Sequence, residues 1–205
     1  MYNQDNYTRV LVMFGIVIFC LLFLLSGVDF EQIHSKDLIR SISSSTAITL
    51  LFHVAFKKWI WKYRWIPFIN PIIVLVPNLH GTWKGKLQSS WVDPISGKTI
   101  DPILITAYIR QTFTSISVEV HTDQMISKSY IAGIRTDSDV QTQELCYTYS
   151  SKASADSIAY NPWHDGTAKL AIHNGTELRL KGDYWNLRKT IGTMELHRVS
   201  KKINR

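Results

Sequence analysis

From Val10 to Leu25 the chain reads VLVMFGIVIFCLLFLL, without a charge or a proline. With its flanks this run reaches about 20 residues, and at ~1.5 Å rise per residue it spans a hydrocarbon core of about 30 Å. Backbone groups in lipid must satisfy one another, so the run is expected to be a helix. A second apolar segment, Ile42–Phe56, carries Ser43, Ser44, Ser45 and Thr46, small residues that let helices approach closely in lipid. His53 stands in it either as a helix-packing or interfacial group or as a pore-lining or proton-sensitive residue. Between the two segments, Asp29–Arg40 reads as a polar hairpin. After them, Lys57–Trp65 (KKWIWKYRW) forms a basic aromatic belt. Tryptophan and tyrosine favour the membrane interface, and lysine and arginine stay on the cytoplasmic side. The expected topology is two transmembrane helices within residues 1–65, with both termini cytoplasmic. Residues 66–77, with Pro67, Pro71 and Pro77, form a linker in which Ile72–Val76 skims the membrane.

From Leu79 onward the period changes to two, the pattern of half-buried strands. Eight such runs are expected, over Gly81–Trp91, Ile103–Arg110, Thr112–Thr122, Ser127–Thr136, Gln141–Ser150, Ala168–His173, Thr176–Asp183 and Thr190–Val199. In the third, Ile116, Val118 and Val120 share one face, and Ser115, Ser117, Glu119 and His121 the other. Asn174-Gly175 between two alternating runs is a strong hairpin signal, and Ser96-Gly97 and Asp165-Gly166 mark further turns. No amphipathic helical pattern follows Leu79. Residues 78–205 are therefore expected to form an all-β domain, a small eight-stranded antiparallel up-and-down β-barrel. Closure removes exposed edges, and a barrel of this size can hold one small ligand.

Charge narrows the partners. The net charge is +7 over 205 residues, which suits nucleic acid, nucleotides or acidic lipid head groups. The basic belt alone accounts for four of those charges and serves topology. Cys20 lies in the first apolar run and Cys146 in an expected strand, so no disulfide framework is visible.

Catalytic signatures are missing: there is no G-x-S-x-G, H-E-x-x-H or C-x-x-C. Ser96-Gly97-Lys98-Thr99 resembles the end of a P-loop, but Val92 occupies the place of its first glycine and no helix follows. His121, His164, His173 and His197 are scattered without ligand spacing, so neither a metal site nor an enzyme is expected. Gly81-x-Trp83 at the first strand suits barrel closure, with Trp83 plugging one end and Arg198 stacking across it by cation–π contact. Tyr147 and Tyr149 share one face. Tyr160–Thr167 gathers aromatic, amide, imidazole and glycine groups, and Tyr184 leads to Arg188. A purine dinucleotide needs aromatic faces, amides for base edges and arginine for phosphates, and these segments supply all three. The same aromatics would also line any small barrel.

Two spans, a basic aromatic linker and then Gly81-x-Trp83, Tyr147-x-Tyr149, Asn161-Pro162, His164-x-Gly166-Thr167, Gly182-x-Tyr184, Arg188 and Gly192 resemble a family. It is the SMODS-associated two-transmembrane β-strand-rich effectors of bacterial CBASS antiphage systems. The resemblance implies a β-barrel that binds a 3′,3′-cyclic dinucleotide, purine-containing, made by a partner CD-NTase after infection. It also implies self-association on binding, disruption of the inner membrane lipids and abortive-infection cell death. No cofactor and no direct binding of nucleic acid are implied. Carried onto this chain, Tyr149, Trp163 and Tyr184 would stack on bases, and Asn161 and His164 would hydrogen-bond base edges or ribose. Arg110 and Arg188 would neutralise phosphates, and Gly166 and Thr167 would admit close backbone approach. Two other readings stand beside it: a membrane-tethered lipid- or fatty-acid-binding barrel, and a secreted barrel behind a cleaved leader.

Overall fold

The computed structural model describes residues 4–25, 35–62, 77–93, 95, 97–137, 142–153 and 162–204. The chain divides into two compact units, one holding the helices and one holding the strands.

In the helical unit, α1 spans Gln4–Leu25 and α2 spans Ser35–Lys58, followed by a 3₁₀ turn at Ile60–Lys62. Both helices are long and apolar enough to cross a membrane. The second begins earlier than its apolar run: Lys36, Asp37 and Arg40, expected in a hairpin, are helical. Asp37 in the first turn and Lys57 and Lys58 in the last complement the helix dipole, which is why polar ends extend the helix. The helices pack through small residues. Ser41 and Ser45 are buried, Gly15 lies against Thr49, and Phe14 stacks on Phe52 with centroids 4.4 Å apart. The hydroxyls bond back to the helix, Ser45 Oγ donating to the Ile42 carbonyl (2.9 Å) and Thr49 Oγ1 to that of Ser45 (2.8 Å). The hydroxyls of Ser45 and Thr49 therefore need no partner in lipid.

The strand unit is a closed antiparallel barrel of β1 (Gly81–Ser89), β2 (Ile103–Gln111), β3 (Ile116–His121), β4 (Met125–Asp137), β5 (Thr142–Ala153), β6 (His164–Asn174), β7 (Leu178–Asn186) and β8 (Ile191–Ser200). Each strand pairs with the next, and β8 returns to β1, as the eight alternating runs lead one to expect. Ile105, Val118, Leu145, Leu170, Leu180 and Leu196 point inward into one core cluster drawn wholly from residues 79–196. With every edge paired and the core supplied from within, this unit contains its own tertiary stabilisation and folds alone.

Two strand starts depart most from expectation. The third strand starts at Ile116, because Thr112 and Ser115 bond each other's hydroxyl and backbone groups into a turn. The sixth starts at His164, so Asp165-Gly166 is strand and not a turn. The inward positions His164, Gly166 and Ala168 continue the alternation of Leu170 and Ile172, but glycine hides it from a hydrophobic pattern. The hairpin at Asn174-Gly175 is present, with residues 175–177 as its connection. At Ser129/Ile131 a bulge lets Tyr130 drop out of register with β5.

One end of the barrel is sealed. Trp83 is fully buried and its Nε1 donates to the Leu79 carbonyl at 2.9 Å. The Arg198 guanidinium lies 5.9 Å from the Trp83 ring centroid and donates to the Asn78 carbonyl at 2.7 Å. Gln111, which the sequence pattern did not single out, ties the same strap. Its Oε1 accepts from Leu79 N (2.6 Å) and its Nε2 donates to the Pro77 carbonyl (3.2 Å). Gly81 has φ of 139°, and a Cβ there would collide with the Ser200 carbonyl, so only glycine starts β1 this way.

Candidate functional site at the tyrosine end

The opposite end is lined differently. Strand alternation turns Tyr147, Tyr149 and Ser151 of β5 inward, together with Ser89, Ser127, His164 and Tyr184. Tyr147 and Tyr149 have ring centroids 5.9 Å apart, and the Tyr147 hydroxyl reaches Met194 Sδ at 3.7 Å. Ser127 and Ser151 share a hydroxyl hydrogen bond of 2.8 Å. His164 Nδ1 donates to the Pro162 carbonyl at 3.0 Å. A carbonyl can only accept, so the neutral ring leaves Nε2 as an acceptor.

Two glycines make room for two rings. Tyr149 pairs across the sheet with Gly166, and Tyr184 with Gly192. A Cβ on Gly166 would stand 2.5 Å from the Tyr149 ring carbon Cζ and its hydroxyl. One on Gly192 would stand 2.6 Å from Tyr184 Cε1. Each ring therefore occupies the space that a Cβ on its glycine neighbour would take, which holds the ring in place.

Burial raises the phenols of Tyr147 and Tyr149 well above their ordinary value of 10, with an adjacent tyrosine adding to each. Tyr184 is also raised by burial, against a lowering hydrogen bond to Ser89. The hydroxyls thus stay protonated and can donate. An unfolded tyrosine ionises near 10, and these ionise only above it. As pH rises past 10 the unfolded chain releases these protons first, so the contribution of the three phenols to stability is constant below that value and is lost above it. A tyrosinate absorbance titration should reveal a class that stays silent until the barrel unfolds; ionisation of every tyrosine together near pH 10 would contradict this packing.

Of the residues named from sequence, Tyr149, His164, Gly166 and Tyr184 come together inside this end. Arg188 lies on the β7–β8 hairpin at the same end. Trp163 and Thr167 sit on the outer side. Trp163 is 62% exposed and donates Nε1 to Ser150 Oγ at 2.6 Å, and the Thr167 hydroxyl faces that of Thr148 at 3.4 Å. Arg110 is not brought here. It is the second-last residue of β2, next to the sealed end, and its outward side chain meets Glu119 at 3.4 Å. Strand direction and alternation both place it away from the inward side chains of the tyrosine end. Asn161 lies outside the described residues. Tyr147 shares the face of Tyr149, as its spacing implies, but carries no ligand role in the sequence reading; Ser89, Ser127 and Ser151 were missed as lining, although Tyr147-x-Tyr149-x-Ser151 carries the period-two signal. Among the described residues no group of His, Cys, Asp and Glu could hold a metal.

A family model described as "Cap15, cyclic dinucleotide receptor domain" matches residues 74–198. The chain belongs to the Cap15 family. The match opens before the strap at Leu79 and closes at Arg198, so the Cap15 domain is the barrel itself. The chain is also 26% identical over 175 residues to CD-NTase-associated protein 15 of Escherichia albertii, covering 82% of this chain and 84% of that protein. It is 26% identical over 184 residues to CD-NTase-associated protein 15 of Staphylococcus schleiferi, covering 89% and 91%. Both alignments exceed the receptor domain, and only residues 199–205 follow it, so each reaches back into the helical unit. The resemblance to CBASS effectors read from the sequence is borne out in Cap15 membership, and a Cap15 domain is a receptor, not a known enzyme.

Proposed function

We propose that the tyrosine end of the Cap15 barrel captures a 3′,3′-cyclic dinucleotide, and that capture drives self-association and disruption of the bacterial inner membrane by α1 and α2. The observation that carries the reading is the pair of rings, Tyr149 over Gly166 and Tyr184 over Gly192, at the end that holds His164 and whose β7–β8 hairpin carries Arg188. Flat aromatic faces suit bases, protonated phenols and serines suit ribose and phosphate oxygens, and Arg188 supplies charge. The inward hydroxyls of Ser89, Ser127 and Ser151 disfavour a purely apolar ligand and so favour this reading over a fatty-acid carrier. The messenger would come from a CD-NTase, and the barrel and both termini would be cytoplasmic.

The gate is thermodynamic. Ligand shifts the chain toward the assembled form only to the extent that it binds that form more tightly. Losing a charge-assisted contact to phosphate costs about 1.5–3 kcal/mol, roughly 10- to 150-fold in affinity. Arg188→Ala is therefore expected to lower calorimetric affinity for the cyclic dinucleotide by that factor and to abolish killing when a CD-NTase is co-expressed. Killing at full strength by this variant would remove Arg188 from the mechanism.

A further inference from the structure

Outside, the tyrosine end carries apolar side chains in excess. Among the described residues the barrel exposes thirteen large apolar side chains, and ten of them lie at this end or on its loops. The centre is the β7–β8 hairpin. Leu187 at its tip is 77% exposed, flanked by Trp185 and Ile191, with Arg188 and Lys189 between. The hairpin is held rigid: Asn186 Oδ1 accepts from Arg188 N (3.0 Å) and Thr190 N (3.2 Å), and Lys189 takes the left-handed turn conformation at φ 59°.

Its neighbours extend the patch. Leu187 N donates to the Asp165 carbonyl at 2.9 Å, which brings the start of β6 and Trp163 alongside. On the other flank Ser90 N and Oγ both donate to the Ile191 carbonyl, at 2.8 and 2.6 Å, placing Trp91 beside the hairpin. The β1–β2 loop then turns at Gly97 and presents Ile95, 96% exposed.

We infer that this rim is a docking surface for an anionic lipid bilayer. Three features select lipid. The most exposed apolar groups, Ile95 and Leu187, stand on a loop and a hairpin tip, which enter a soft interface more readily than they match a rigid protein face. Tryptophan is the residue most at home at the level of the head groups. Cationic side chains sit in the same hairpin as the most exposed leucine, the complement of phosphate head groups above acyl chains. The candidate spans of the same chain make a bilayer the surface met at highest effective concentration. The inference takes the membrane anchoring proposed above as its setting, but it concerns the barrel's own surface.

The test uses residues 77–205, which fold alone. In flotation with vesicles of phosphatidylglycerol and phosphatidylcholine, the barrel should rise with the lipid, and less of it with phosphatidylcholine alone. Leu187→Asp and Ile95→Asp should each lower the partition coefficient about tenfold, the effect of withdrawing one large apolar side chain from the interface. Both should keep the far-ultraviolet spectrum and the calorimetric affinity for a cyclic dinucleotide, so that failure at the rim is distinguished from failure of the cup. Absence of flotation, or flotation unchanged in both variants, would overturn the inference. So would a concentration-dependent dimer in sedimentation that both substitutions dissolve, which would assign the rim to a second copy of the chain.

Discussion

Trp83→Ala is expected to destabilise the barrel by about 3–5 kcal/mol, the range for removing a large buried aromatic side chain. The figure sits at the upper end because more than packing is lost. The Leu79 carbonyl loses the donor Nε1 and the Arg198 guanidinium loses the ring it lies over. Small domains are stable by only about 5–15 kcal/mol, so the variant should unfold at much lower urea with an unchanged slope. Gln111→Ala should follow in the same direction with a smaller loss, since it frees Leu79 N and the Pro77 carbonyl at the same strap. A Trp83→Ala barrel as stable as the parent would mean that the sealed end contributes nothing to the fold.

Leu22→Arg should separate the two units. A charged side chain at the bilayer centre costs about 2.5–3.5 kcal/mol on insertion scales, and Leu22, nearer the end of the run Val10–Leu25 than its middle, meets part of that cost. It lies in α1, whereas the barrel carries its own core. Killing in cells should be lost, while the calorimetric affinity of the detergent-solubilised chain for cyclic dinucleotide stays within about twofold of the parent. This is the complement of Arg188→Ala, which is expected to lose both. Retained killing by Leu22→Arg would place the toxic act elsewhere than in the helices.

Much of this architecture is legible in the residues, because the two physical periods are so different. A charge-free run in Val10–Leu25 and alternation after Leu79 leave little freedom of fold. The sealed end is legible too, since Gly81-x-Trp83 and Arg198 sit at the two strand ends that meet on closure. What escaped the pattern was set by residues that carry no hydrophobic signal. Gly166 hid the start of β6, and polar residues from Ser35 to Arg40 hid the first turns of α2. Arg110 shows a different limit. Residue type suggested a phosphate ligand, but only strand direction and parity decide which end and which face a side chain occupies. The inward residues of the tyrosine end were half legible for the same reason. Tyr149, His164 and Tyr184 are distant in sequence, and only the pairing of β5 with β6 and of β6 with β7 brings their strands side by side.

The most direct measurement is a calorimetric titration of the barrel, residues 77–205, with a panel of 3′,3′-cyclic dinucleotides and, separately, fatty acids. The account predicts saturable one-to-one binding of a purine-containing cyclic dinucleotide, weakened at least tenfold by Arg188→Ala, and no binding of fatty acid. Heat from the fatty acid with none from any cyclic dinucleotide would contradict it.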